Sequence, residues 1–162
     1  MKPQLAGILL FISGIVTGNS KTYFTTFNKS DFYSAMASQN IGAINNELVV
    51  VQNISILNKD AYEGALLMTK AGLIKKISDK ISLFKAGRTK LERCIITDSA
   101  NAELRFLRLI VQENVPAIVN YKGDLEKDKT VILRSFKTLS PEVQKYIRDY
   151  SKGSKILNSK DL

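Results

Sequence analysis

Histidine is absent from the 162 residues, and cysteine occurs once, as Cys94. Without imidazole there is no Ser-His-Asp or Cys-His nucleophile, no HExxH metal site and no histidine proton relay. A lone cysteine excludes an intramolecular disulfide, a thiolate zinc cluster and CxxC redox chemistry. No GxxxxGK[ST] or GxGxxG stretch is present to cradle a phosphate. Asp124, Glu126 and Asp128 alternate as in a calcium loop, but the glycine and distal glutamate of that loop are missing, because Thr130 and Val131 follow. These acids read instead as helix-start residues set against the positive end of the dipole. Glu103 and Glu113 carry no diagnostic context for glycoside cleavage. The sequence thus predicts no catalytic, cofactor-binding or metal-ligating residue and no cofactor. It predicts a non-enzyme.

Long charge-free runs are also scarce, with one exception at the start. Lys2 precedes LAGILLFISGIVTG, residues 5–18, and then polar Asn19, Ser20 and Lys21. A bilayer-spanning helix needs about 20 apolar residues, so this run is short for a span. A positive start, a short apolar core and small residues at its end describe a signal peptide over residues 1–18. Val16 and Gly18 stand three and one positions before a cut after Gly18, and Ser20 is an alternative end point. The expected location is therefore exported, periplasmic or secreted. An uncleaved N-terminal membrane anchor is the alternative. No cysteine lies near the end of the run, so a lipid-modified cysteine anchor is excluded.

The rest is ordinary globular material, 44% hydrophobic and 24% charged over the whole chain, which argues against disorder. Residues 19–29 read as an extended lead-in able to pack Tyr23, Phe24 or Phe27 on the domain. Residues 30–152 read as a single helical domain, and 153–162 as a polar, frayed tail. Ser30 offers a cap to a short helix with Asp31 in its first turn. Ile41, Ile44, Leu48 and Val51 have helical spacing, although Leu48–Val51 alone would also suit a strand. In residues 59–74, Ala61, Ala65, Met68 and Gly72 form a small-residue stripe that admits a close neighbour. Gly64 and Gly72 each lower helicity by about 1 kcal/mol against alanine, which close packing would explain. Residues 79–97 follow, with Ile81, Phe84, Leu91 and Ile95 at helical spacing. Asp98, Ser99 and Asn101 are three candidate caps for the next helix. Asp124–Phe136 is another helix with Leu125, Val131, Ile132 and Phe136 inward. Ser140-Pro141-Glu142 then opens a last helix ended by Gly153.

The chain is organised around residues 91–116. Leu104, Leu107 and Val111 share a stripe with Phe106, Leu109 and Ile110 beside it, so the helix is apolar over most of its circumference and belongs among others. Arg105, Arg108 and Gln112 occupy the remaining face at i, i+3 and i+7. This seam has two readings. The arginines bridge to acids on neighbouring helices, the favoured one, or they grip a partner's carboxylate bidentately. Arg105, Arg108 and Gln112 are accordingly the candidate partner-binding residues.

Residues 84–103 resemble the second helix and exit turn of a tetratricopeptide repeat, with Gly87 and Cys94 at the small positions and Leu91 at the large one. Asp98-Ser99 stands where the repeat has Asp-Pro. Tyr62, Gly64 and Ala65 lie too far upstream for the 34-residue spacing of that family, and no second copy follows. The whole also resembles small exported bacterial helical proteins, which implies no particular activity. The resemblance implies a compact antiparallel all-α helical bundle with TPR-like helix-hairpin packing, not a superhelix.

The net charge is +9, of which +1 belongs to residues 1–58 and +8 to residues 59–162. Such basicity favours anionic partners, yet only Lys75-Lys76 are adjacent, so solvated helix faces account for most of it. Nucleic acid is disfavoured, since the aromatics needed for stacking fall on core stripes. Asn28-Lys29-Ser30 and Asn53-Ile54-Ser55 match a glycosylation pattern that matters only in a eukaryotic secretory protein. The function expected is protein–protein contact in the cell envelope. The alternative is a basic module binding anionic lipid or another polyanion.

Overall fold

The computed structural model describes residues 26–162, so the leader expected at 1–18 and most of the lead-in lie outside the described residues. Seven α-helices make up the described chain: α1 (Lys29–Ala37), α2 (Ile41–Gln52), α3 (Lys59–Leu73), α4 (Ile77–Thr97), α5 (Ala102–Asn114), α6 (Leu125–Ser135) and α7 (Pro141–Ser151). Short 3-10 turns at Ala117–Val119, Phe136–Thr138 and Ser159–Asp161 complete it, and no strand occurs among the described residues. The all-α bundle expected from the sequence is the fold observed.

Helix boundaries follow local chemistry. Ser140 Oγ accepts from Val143 N–H with Pro141 at the first helical position, as its sequence dictates. Of the three candidate caps before α5, Asn101 does the work, its Oδ1 accepting from Glu103 and Leu104 N–H at 3.1 and 3.2 Å. At α1 the cap is Asn28, not Ser30, with Asn28 Oδ1 accepting from Ser30 N–H at 2.7 Å. The helix therefore starts one residue before Ser30, and either side chain has the chemistry for the role.

α3 and α4 form a long antiparallel hairpin in which Asp60 faces Lys90 and Gly64 faces Gly87. α5 runs through the middle and packs on α3, α4 and α6. Leu104, Phe106, Leu107 and Leu109 on α5 are all at most 1% exposed. Burying each such side chain is worth about 1.5–3 kcal/mol, so α5 is the principal hydrophobic anchor. α1 and α2 close one side, where Phe27, Phe32 and Tyr62 pack with ring centroids 4.9–5.9 Å apart. Phe27 is thus the lead-in aromatic that reaches the domain. α7 returns to α1, stacking Tyr146 on Tyr33 at 4.6 Å.

Other expectations differ from the structure. Residues 153–162, expected to fray, fold back: Leu157 is fully buried, and Ser154 Oγ and Lys155 N–H donate to Glu113. A short Ile156-Leu157 pair in a mostly polar tail escapes a composition-based reading. Gly72, expected in a close helix crossing, has open space where its Cβ would be. The crossing is made by Gly64 and Gly87 instead.

Candidate functional site

α5 and α6 run antiparallel and enclose a buried charge cluster. Its centre is Asp128, on α6 and fully buried. Arg108 donates from Nε to Oδ2 at 2.7 Å and from Nη2 to Oδ1 at 2.6 Å, a bidentate pair. Arg105 Nη1 reaches Oδ1 at 3.1 Å, and Gln112 Nε2 reaches Oδ2 at 2.8 Å. The i, i+3, i+7 spacing aims all three side chains at one carboxylate. Their exposures are 4%, 4% and 1% for Arg105, Arg108 and Gln112.

The other donors are also engaged within the chain. Arg105 Nε and Nη2 donate to the Ser99 carbonyl at 3.0 and 2.7 Å, tying the α4–α5 turn to the cluster. Arg108 Nη1 bridges to Glu92 at 2.9 Å and Asp124 at 3.3 Å. Gln112 Oε1 accepts from Asp124 N–H, fixing the start of α6. Tyr121 O–H donates to Glu92. Burial alone would push the Arg108 guanidinium down. The hydrogen bonds and charge of Asp128, with Glu92 and Asp124 adding, carry it above its ordinary value. For Tyr121, burial acts first and Glu92 second, and both push the phenol up. Arg108 thus stays charged, and the cluster joins α4, α5, α6 and two connections.

Asp128 escapes a reading of α6 as a helix opened by acids. One signal marks it out: Leu125, Asp128 and Ile132 share a stripe at i, i+3 and i+7, placing a charge on the inward face.

Two further carboxylates on α5 are polar anchors. Glu103 accepts from Lys29 Nζ at 2.6 Å, Tyr62 O–H at 3.0 Å and Tyr33 O–H at 3.3 Å. Burial, with Glu103 beside them, holds both phenols well above their ordinary value. Glu113 accepts from Tyr150 O–H at 2.9 Å and from the refolded tail. Glu103 and Glu113 therefore serve separate clusters and do not face each other across a cleft.

Open grooves are shallow. One of about 450 Å³ is lined by Asn58, Lys59, Asp60, Arg93, Cys94 and Thr97. Another of about 340 Å³ includes Phe27, Ile56, Leu57 and Glu103. Burial pushes the Cys94 thiol up, so it stays protonated and weakly nucleophilic near neutral pH. Among the described residues no three His, Cys, Asp or Glu side chains are gathered as metal ligands, and no helix is long and apolar enough to cross a membrane.

Glu47 on α2 stands apart. It is 7% exposed, and its Oε1 has no hydrogen-bond partner. Burial first, and the charge of Asp31 second, raise its carboxyl above the ordinary glutamate value. The folded state then binds this proton more tightly than the unfolded state. Its contribution to stability is complete below the ordinary value and is lost as pH rises through the raised one. Glu47→Gln is expected to raise Tm by about 2–4 °C at pH 7, equivalent to relieving about 1 kcal/mol. At pH 4 the gain should shrink toward zero. Melts of both proteins at the two pH values check this, and equal shifts at both would contradict it.

No protein-family model, curated protein or solved structure matches the chain.

Proposed function

We propose that this is an exported, non-enzymatic helical protein that works by contact in the cell envelope. The observation that carries the reading is the division between interior and surface. The polar groups gathered at Asp128, Glu103 and Glu113 are engaged within the chain, whereas Leu57, Ile77, Ile96 and Ile118 stand 72–93% exposed. Leu57, 85% exposed, lines a shallow groove with Phe27 and Ile56, an apolar edge that suits contact with another surface. The α3–α4 hairpin, crossing through Gly64 and Gly87, supports the TPR-like comparison and with it a protein partner. Arg105, Arg108 and Gln112 enter as the lock that holds α5 and α6 in shape behind that surface. The apolar run at residues 5–18 after Lys2 supports export.

A second reading, attraction to an anionic envelope surface, is favoured by one observation: Lys75 and Lys76 in the turn between α3 and α4 and Lys80 and Lys85 in the first half of α4 are all exposed.

Affinity capture from envelope extracts at several salt concentrations, with intact-mass measurement of the isolated protein, tests the proposal. The expected result is a recovered envelope partner and a mass beginning after Gly18 or Ser20. Empty captures at every salt concentration would overturn the contact function, and a mass retaining Met1–Gly18 would overturn cleavage of the leader.

A further inference from the structure

We propose that the free end of the α3–α4 hairpin docks on an anionic bilayer surface. The inference rests on the second reading above, attraction to an anionic envelope surface, and deepens it by naming the surface used and the chemistry of its partner.

α4 has 21 residues, about 31 Å of helix, and only part of it meets the bundle. Its buried residues, Gly87, Leu91 and Ile95, all lie in the C-terminal half. A single stripe runs along the helix at i, i+4, i+7, i+11, i+14 and i+18: Ile77, Ile81, Phe84, Arg88, Leu91 and Ile95. At Leu91 and Ile95 this stripe faces the core. At Phe84 and Arg88 it meets Tyr121, whose ring lies edge-on to Phe84 at 5.5 Å and beneath the Arg88 guanidinium at 4.9 Å. Beyond that point the stripe is increasingly open to solvent, Ile81 being 48% and Ile77 72% exposed. The stripe continues as a core stripe would, but its neighbour has ended.

Charge completes the picture. Residues 70–88 hold six cations, Lys70, Lys75, Lys76, Lys80, Lys85 and Arg88, against one acid, Asp79. More than half of the chain's net +9 therefore sits on this hairpin end. On the α4 circumference Lys80 and Lys85 flank the Ile77–Ile81 stripe on its two sides, and Lys75 and Lys76 precede it. Among the described residues the only ion pair at this end, Lys76 with Asp79 at 3.2 Å, is exposed on both sides and holds neither charge firmly.

An aliphatic pair ringed by lysines has the chemistry of an interfacial seat. The isoleucines enter the boundary between headgroups and acyl chains, and the ammonium groups meet lipid phosphates while their stems lie along apolar surface. Two features favour lipid over an acidic protein or a nucleic acid. The cations nearest the isoleucines are all lysines, mobile point charges rather than the rigid forks that read a fixed carboxylate. The aromatic of the stripe, Phe84, is occupied by Tyr121 and offers no stacking face for bases.

Sedimentation of the full chain, as isolated, with phosphatidylcholine vesicles carrying about 30% phosphatidylglycerol tests this, alongside pure phosphatidylcholine vesicles. Binding is expected to the anionic vesicles alone at low salt, falling at least about tenfold as salt rises to several hundred millimolar. Ile77→Ser/Ile81→Ser and Lys80→Glu/Lys85→Glu should each weaken it by about tenfold. These positions are exposed, so circular dichroism and melting should be unchanged. Lys122→Glu/Lys127→Glu makes the same charge change elsewhere on the surface and should stay within about twofold. Failure of the wild-type chain to sediment at low salt would overturn the inference, as would equal losses from the two charge-reversal pairs. Loss from the lysine pair without loss from the isoleucine pair would overturn the insertion. Vesicles that fail while affinity capture still returns an envelope protein would sink this inference and the second reading, and leave the contact reading standing. Failure of both would remove the contact reading too.

Discussion

Asp128→Ala is expected to destabilise the fold by about 3–5 kcal/mol, the cost of leaving a buried charge without its partner. The carboxylate is fully buried and accepts from Arg105, Arg108 and Gln112, so its removal strands two guanidinium groups that are each 4% exposed. Arg108 retains Glu92 and Asp124, and Arg105 retains the Ser99 carbonyl, which places the loss toward the lower end of that range. Asp128→Asn keeps one oxygen acceptor and the shape, and should cost less than the alanine. The sharper test is to replace the whole cluster. Arg105→Met/Arg108→Leu/Asp128→Leu removes the charges together and should recover most of the loss, because burying an ion pair costs desolvation that apolar side chains avoid. Urea titrations of the three proteins check the order alanine, asparagine, triple variant, from least to most stable. If Asp128→Ala costs less than about 1 kcal/mol, water already reaches the cluster and its charges are not truly buried. If the triple variant falls as far as the alanine, the cluster contributes geometry that packing cannot replace.

The same cluster marks how far the sequence could be read. The i, i+3, i+7 relation of Arg105, Arg108 and Gln112 was legible, because helical spacing alone places them on one face. Their acceptor was not, because Asp128 also fits the local pattern of acids at a helix start, and local pattern says nothing about which helix lies opposite. α7 was legible down to its cap, since Ser140-Pro141-Glu142 is a signal confined to one turn. Ile81 marks a different limit. Its spacing with Phe84, Leu91 and Ile95 is that of a core stripe, but whether a stripe is covered depends on where the neighbouring element stops. Leu157 shows the reverse case, one buried aliphatic in a polar tail, fixed by Glu113 reaching over from α5. Periodicity within an element is thus a property of the sequence, whereas the reach of its neighbours is a property of the packing.

Glycine separates those two levels most cleanly, through a pair of substitutions of opposite sign. Gly87→Ala is expected to destabilise the protein by about 2–3 kcal/mol, although alanine gains about 1 kcal/mol of helix propensity. A Cβ at residue 87 would lie 2.5 Å from the Gly64 carbonyl oxygen and 2.9 Å from Met68 Cγ. At residue 64 it would lie 2.6 Å from the Gly87 carbonyl oxygen and 2.9 Å from Leu91 N. Backbone atoms cannot rotate aside as a side-chain end can, so α3 and α4 must separate. That separation loosens Ala61, Ala65 and Leu91 and pulls Lys90 from Asp60 and Glu63, each now 2.9 Å away. Gly72→Ala, on α3 with nothing within 4 Å, should instead stabilise by about 0.5–1 kcal/mol. Thermal and urea melts read both signs. Gly64→Ala/Gly87→Ala adds a further condition: one displacement of the hairpin relieves both clashes, so the double variant should lose less than the sum of the singles. A fully additive loss would mean that the two glycines face different neighbours. A stabilising Gly87→Ala would mean that the helices already stand apart.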